Sequence, residues 1–408
     1  MINKRFELSL ITIAGFLTAL VPVGVAIGNA AEEIIITLIA ILFLTHSIKN
    51  HDFSWLKQDW LLALLALWLY GCTRSLFTDN PGKTFIDAFP WIRFILFAIA
   101  LESWILIHKK WRNLLLTMGF MAISWLAADA IFQYINGTDV FGRAIAATHR
   151  LTASYSKPIV GITIAWLFMP FLLGYIHQKK YALAILFGVF ALTAILLSGE
   201  RMALIFSLLS LGLVILLIKR LRKAGSIALL FFAIAMVGLM VAKPAIYDRQ
   251  VKSTIAIIGN LPDSPYGVIW HSAIDIIKDY PIFGIGMGNF RLVCPDQRYG
   301  PDDAKGLGYS RCASHPHNIY LEWLVEGGLV AVSGFILAMF FIFRRLFNSF
   351  AVNRDNYLFI ALVVTLAMRL WPIASTTSFF HGWSAIPFWL TLGWALVYCR
   401  TADPDYEP

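Results

Sequence analysis

The sequence predicts an all-α polytopic membrane protein, with about 12 transmembrane helices and one large outer loop that contains short helices. Three observations carry this. The chain is 59% hydrophobic and only 14% charged across 408 residues, too little charge to cover a water-soluble fold of that size. Its mean hydropathy is +0.72. Apolar runs approaching the ~20 residues needed for a helical bilayer crossing recur from one end to the other.

In chain order the runs fall at 8–27, 34–48, 56–72, 88–107, 111–132, 158–176, 181–197, 202–218, 224–242, 319–343, 357–371 and 379–399. The first has spanning length rather than that of a short signal core, so it reads as a span and not as a cleavable leader. The second and third are short for a crossing. The runs divide the chain into residues 1–242 with nine spans, a long loop at 243–318, and residues 319–408 with three spans and a tail. An even count places both termini on one side.

Positive charge tests that count. With a cytoplasmic N-terminus, the inner segments hold 17 of the 33 Lys and Arg residues, and the short outer loops hold six. This is the bias that sets orientation in membranes. It accounts for most of the formal charge of +9 and removes the case for nucleic-acid binding. The same topology places three features on the outer side: the loop 133–156, the tight turn 198–201 (SGER) and the long loop 243–318. The last is too long for a passive connection and reads as a folded cap.

Within the cap, 267–280 (GVIWHSAIDIIKDY) spaces Trp270, Ala273, Ile274 and Ile277 as a helix would. Trp270 and Tyr280 suit either the membrane interface or a core of the cap itself. Residues 281–290 (PIFGIGMGNF) form a glycine-rich turn whose GxGxG follows no strand, which speaks against dinucleotide binding. Cys294 and Cys312 would form a disulfide in an oxidising compartment and otherwise remain buried thiols. Cys72 and Cys399, near span ends, read as unpaired.

The chemistry concentrates at 314–328, SHPHNIYLEWLVEGG. Asn318 suits the N-cap of a helix beginning near Ile319. His317, beside that N-terminus, feels the positive end of the helix dipole, which disfavours the imidazolium and leaves a neutral ring as a base. Simple packing at a span end is the alternative. His315 and His317 form an HxH for which the spacing offers no third ligand, so a metal site is not expected. Arg201 opens a span on the outer side and carries the planar donor fork that grips phosphate; its partner is either Glu200 or an anionic substrate. Among the basic residues of the long loop, Arg291 adjoins the glycine turn and Arg311 the histidine motif. Charges inside spans are costly, and Arg93, Glu102, Asp129, Glu322, Glu326 and Arg369 are of this kind. An ion pair of Glu326 with Arg93 or Arg369 accounts for it as well as catalysis does.

Taken in order, these pieces resemble the O-antigen ligase and polymerase superfamily of bacterial membrane glycosyltransferases. The likeness runs from about Asp129 to Leu329. It rests on Asp129-x-x-x-Gln133 with Gly137 and Asp139, on Arg150-Leu151-Thr152, on the SGER turn, on Trp270 followed by YPIFGIGMGNF, and on HPHNIYLEWLVEGGL. The resemblance implies a GT-C-like fold in the wider sense, set in the bacterial inner membrane, with the long loop and active site in the periplasm and both termini in the cytoplasm. It implies an undecaprenyl-diphosphate-linked glycan as donor, lipid A–core as acceptor, and no metal or other cofactor. His317 is the implied base and Arg201 the implied diphosphate ligand. Arg150, Arg249, Arg291, Arg311, Asn318 and His315 join them as substrate-binding candidates, while Asp129, Glu326 and the Cys294–Cys312 pair are structural. Two positions depart from the pattern. Tyr266 stands where many members carry an arginine about four residues before Trp270, so a second diphosphate arginine comes from Arg249 or Arg291 or is absent. Glu200 replaces a small residue before the turn arginine.

The expected reaction is inverting transfer of the glycan to a sugar hydroxyl of lipid A–core in lipopolysaccharide synthesis. A polymerase joining lipid-linked repeat units would use the same groups. A transporter or flippase would show internal repeats and polar residues at the midplane, and the sequence shows polar residues gathered toward one face.

Overall fold

The computed structural model describes residues 4–28, 30–146, 149–300, 310–373, 375 and 377–400, with side chains from residue 7 onward. Residues 301–309 of the long loop and the tail 401–408 lie outside the described residues. Among the described residues the chain is helical, with no strand and one isolated bridge between Thr138 and Ala144.

The helices run in the order α1 (Lys4–Ile27), α2 (Ala31–Asn50), α3 (Asp59–Arg74), α4 (Pro81–Ala88), α5 (Ile92–Ala100), α6 (Lys109–Asn136), α7 (Val160–His177), α8 (Tyr181–Leu197), α9 (Arg201–Leu217), α10 (Arg222–Ala242), α11 (Pro244–Tyr247), α12 (Ser253–Gly259), α13 (Pro265–Asp279), α14 (Phe290–Val293), α15 (Ile319–Asn348), α16 (Tyr357–Arg369) and α17 (Gly382–Arg400). Each apolar run of the sequence lies on one of them. Eight helical stretches are long and apolar enough to cross a membrane; α8, α9 and α16 are apolar but shorter. Among the described residues, length and composition alone thus pick out eight of the 12 or so expected spans.

α1 packs between α2 and α6, and α3 packs along α15. α7 lies against α6, α8, α9 and α16 and is buried along nearly its whole length. Its sequence is apolar on every face, as a helix at the centre of a bundle must be. α10 is the opposite case: it leans on α9 and α11, and only Met240 is buried. Its free apolar side, with Leu230, Phe231 and Ile234 exposed, is stable only in lipid.

Each charge inside the bundle has at least one local partner. Arg93 meets Glu33 at 3.1 Å. Glu102 meets Arg345 at 2.7 Å and Arg400 at 3.3 Å. Glu322 accepts the Phe379 N–H at 2.8 Å. Arg369 donates to Ser384 O and stacks 3.5 Å from the Trp166 ring centre. Glu326 pairs with neither Arg93 nor Arg369, which corrects that expectation. It accepts the N–H groups of Gly288 at 2.8 Å and Phe290 at 3.4 Å, so its carboxylate holds the glycine turn.

That turn meets α15 backbone to backbone. Ile285 N–H donates to Val325 O at 3.0 Å, Gly286 N–H to Glu326 O at 2.7 Å, and Leu329 N–H to Pro281 O at 2.9 Å. The contact forces a break in α15 at Gly328, where φ is +67. A Cβ there would lie 2.2 Å from Ile282 O, and one on Gly284 would lie 2.5 Å from Glu326 C. The GxGxG and the GG of the histidine motif are therefore two halves of one close crossing. α13 covers it: Ile269, Ala273 and Ile276 join Ile285, Phe290, Cys294, Tyr299 and Val325 in a core of the cap's own. The helix expected at 267–280 is thus a cap-core helix, and Cys294 and Cys312 are bonded to each other beside it.

Candidate active site

The site is built from the end of α6 outward. Asp129 accepts the Val140 N–H at 2.9 Å and the Ser154 hydroxyl at 2.8 Å. One turn later Gln133 donates to Arg143 O at 3.1 Å and to the Thr152 hydroxyl at 2.8 Å, and accepts the N–H groups of Thr152 and Ala153 at 2.9 and 2.8 Å. Both side chains are buried, so one helical turn fixes the loop that follows and sets the backbone of Arg150-Leu151-Thr152. Leu151 N–H then donates to Ser198 O at 3.2 Å, which seats this loop on the SGER turn.

The turn gathers three arginines from separate parts of the chain. At its left-handed residue, Gly199 (φ +73), an added Cβ would lie 3.4 Å from Arg150 Cγ and 3.6 Å from Arg249 Cγ. Arg249 donates through Nε to Gly199 O at 3.0 Å, and Gln250 donates to Leu196 O at 2.9 Å, tying residues 248–252 to the end of α8. Arg201 is the next residue after the turn. Burial, and then the positive charges of Arg201 and Arg150, push the Arg249 guanidinium below the usual arginine range, with Tyr266 and Glu200 opposing. An anion placed among the three guanidiniums would relieve that repulsion.

Glu200 pairs with Arg150 at 3.3 Å, not with Arg201, which has no hydrogen-bond or ion-pair partner among the described residues. The Glu200 carboxylate also accepts the N–H groups of Gly161 at 2.8 Å and Ile162 at 3.3 Å, two of the open donors in the first turn of α7. Burial raises its pKa to about 7, against Arg150 and those two amides. Below that pH the residue is neutral and the three guanidiniums act undiminished; above it a negative charge offsets one of them. We expect the KM for an anionic donor to rise several-fold from pH 6 to pH 8, and Glu200→Gln to hold the low-pH value throughout. A KM profile of the variant that still follows the wild type would remove Glu200 from this role.

The histidines sit on the neighbouring element. Asn318 caps α15 as expected: its Oδ1 accepts the N–H groups of Tyr320 at 3.0 Å and Leu321 at 3.1 Å, and its Nδ2 donates to Pro372 O at 2.7 Å. Trp270 Nε1 donates to Pro316 O at 3.0 Å, so α13 grips the motif from the other side. His317, half-buried, adopts φ +55, a left-handed conformation that a non-glycine residue keeps only where its surroundings impose it. Its ring lies 4.3 Å from that of His315 and 6.1 Å, edge-on, from that of Tyr266. His315 is buried, with Nδ1 2.9 Å from the Ser314 hydroxyl. Tyr266, which the sequence marks as a missing arginine, joins the two halves: it touches His317 and lies within the electrostatic reach of Arg249.

Arg150, Arg201, Arg249, Tyr266, His315 and His317 are thus brought together. Arg311 is not with them. Its guanidinium is buried in the cap and donates to the carbonyls of Cys294, Pro295 and Asp296, where it braces the disulfide region. Arg291 lies beside Ser314 on a separate cleft. Asn318 acts as a cap, and Asp129 and Glu326 hold backbone, as described. Among the described residues no three of His, Cys, Asp and Glu converge as a metal-ligand set.

Residues 186–336 match the model of a family described as O-antigen ligase. This segment starts inside α8 and ends inside α15, and it contains the SGER turn, Arg249, Tyr266, the glycine turn and both histidines. The resemblance seen in the sequence is borne out there. The match supports a membrane glycosyltransferase-like protein of the ligase or polymerase type in lipopolysaccharide synthesis, with a lipid-linked glycan and lipid A–core as general partners. The family and the apolar helices together fit a multi-pass protein of the bacterial inner membrane. No curated protein matches the chain at a significant level.

Proposed function

We propose that this protein is an O-antigen ligase that transfers a glycan from undecaprenyl diphosphate to a sugar hydroxyl of lipid A–core. The observation that carries the reading is the convergence of Arg150, Arg201 and Arg249 around one turn, one tyrosine away from His317. The diphosphate is bound by Arg201 and Arg249, with Arg150 behind them. Its polyprenyl tail runs along the lipid-facing side of α9 and α10, since α10 leads through α11 directly to Arg249. His317 takes the proton of the acceptor hydroxyl as its oxygen attacks the anomeric carbon. The bond from that carbon to the diphosphate breaks, and the leaving charge falls on the guanidiniums. A single in-line displacement inverts the centre. Cleavage of the diphosphate linkage supplies the driving force, so the scheme calls for no nucleotide and no metal.

In this reading the chain crosses the membrane about 12 times, the histidine end faces the periplasm, and both termini face the cytoplasm. The short α8, α9 and α16 then complete the bundle around the site. A polymerase would use the same base and arginines with a second lipid-linked glycan as acceptor. Purified protein given one defined lipid-linked donor and purified lipid A–core separates the two. Glycan attached to lipid A–core is the expected product; glycan lengthened on the polyprenyl carrier alone would overturn the ligase reading.

A further inference from the structure

A cleft of about 160 Å³ opens beside Ser314, lined among others by Glu33, Asp87, Trp91, Arg93, Arg291 and His381. The mechanism above uses none of them. Among the residues of the site, Ser314 is the one that lines the cleft, and its hydroxyl lies 2.9 Å from His315 Nδ1.

Its chemistry is that of a site for hydroxyl groups. Trp91 is 1% exposed, and its indole N–H has no partner among the described residues; the same holds for Nε of Arg291 and Nε of Arg93. Buried donors left unpaired are costly and call for an acceptor. Two acceptors line the same cleft. Glu33 bonds Arg93 at 3.1 Å yet keeps 39% of its side chain exposed, and Asp87 is held by Lys83. Both carboxylates fit only because glycines face them. A Cβ on Gly288 would lie 1.6 Å from Asp87 Oδ2, and one on Gly382 would lie 2.0 Å from Glu33 Oε1. Phe94 and Phe380 add apolar wall. Glu322 and Glu326 also line the cleft but are buried and spent on backbone N–H groups, so the carboxylates of Glu33 and Asp87 face the guanidiniums of Arg93 and Arg291, a balance that leaves no net positive charge among these side chains to hold a phosphate or an acidic sugar. Carboxylates that accept from hydroxyls, donors that return the bond, and aromatic faces suit a neutral sugar ring.

We propose that this cleft is the subsite for the acceptor sugar, with Asp87 and Glu33 accepting from its hydroxyls and Arg291 and Trp91 donating to it. The proposal rests on glycan transfer at His317 for the word acceptor, and on the cleft alone for the sugar. It is tested with full-length protein in lipid nanodiscs by two readouts. Saturation-transfer NMR with D-glucose and with D-glucose 6-phosphate reads the cleft directly. Steady-state transfer to purified lipid A–core reads its role. Asp87→Asn and Glu33→Gln should each weaken glucose binding and raise the acceptor KM by about tenfold, the loss of one hydrogen bond to a charged group, with the donor KM unchanged. Gly382→Ala, whose Cβ would displace the Glu33 carboxylate, should do the same. Glucose 6-phosphate should bind less well than glucose. An unchanged acceptor KM in folded, active variants would overturn the proposal, as would a rise confined to the donor KM. If wild-type protein transfers no glycan, glucose binding that Asp87→Asn abolishes still supports a sugar site, whereas binding that none of the variants alters ends it.

Discussion

Replacing His317 with alanine is expected to lower kcat for glycan transfer by about 10²–10⁴-fold, the usual span for a positioned general base, while binding of the lipid diphosphate changes little. Alanine alone leaves an ambiguity, because His317 sits at φ +55 and a left-handed backbone costs a non-glycine residue about 1–2 kcal/mol. A variant could fail because the turn into α15 relaxes, not because a base is gone. Glycine and asparagine separate the two, since both accept that backbone conformation readily and neither supplies an imidazole. If the ring is the base, His317→Ala, His317→Asn and His317→Gly all fail together, and added imidazole restores part of the activity of the glycine variant. If the position matters only for its conformation, His317→Gly and His317→Asn transfer glycan nearly as well as wild type, and the base assignment is lost. His315 makes the second control: its ring packs 4.3 Å from that of His317, so its removal should shift the pH profile of kcat and leave the reaction intact at its optimum.

The apolar runs were readable because a helix in lipid must satisfy its backbone internally and show apolar side chains outward, and each run did become a helix. Asn318 was readable for a similar reason: capping is local, and the donors it serves lie two and three residues on. The Glu326 contact was not. Its acceptors are spent on Gly288 and Phe290, nearly forty positions earlier, and nothing in the spacing of a helix shows that a neighbouring turn will be pressed into it at Gly328. Arg311 failed in the same way. Nearness to the histidines in sequence suggested a ligand, yet carbonyls of residues 294–296 use its guanidinium. Conversely, Arg150 and Arg249 are distant in sequence from each other and from His317, and only the packing of three segments on the SGER turn makes them neighbours. Tyr266 carries one legible hint: it departs from the pattern that the sequence resembles, and in the fold it lies within the electrostatic reach of Arg249.

Arg201→Gln is expected to reduce kcat/KM for the lipid-linked donor by about 10²–10³-fold, the loss that follows removal of one donor aimed at a developing anion. Arg249→Gln should cost about as much. Arg150→Gln should cost less, because Arg150 is already committed to Pro158 O at 2.6 Å and to Glu200. Arg201→Lys keeps the charge but loses the fork that can hold two phosphate oxygens at once, so it should fall between wild type and Arg201→Gln. Stability should move the other way. Arg201 and Arg150 both bear on Arg249 as like charges, and Arg201 has no neutralising partner among the described residues. Removing it therefore relieves repulsion in the empty site. Without donor, Arg201→Gln should melt at the wild-type temperature or above it; with undecaprenyl diphosphate present, wild type should gain stability by mass action and the variant should not. This opposition of stability and activity is what a preorganised anion site produces, and a structural arginine would not show it. An Arg201→Gln protein that melts well below wild type in the absence of donor would mean that the guanidinium holds the bundle together, and the diphosphate would then have to be bound elsewhere.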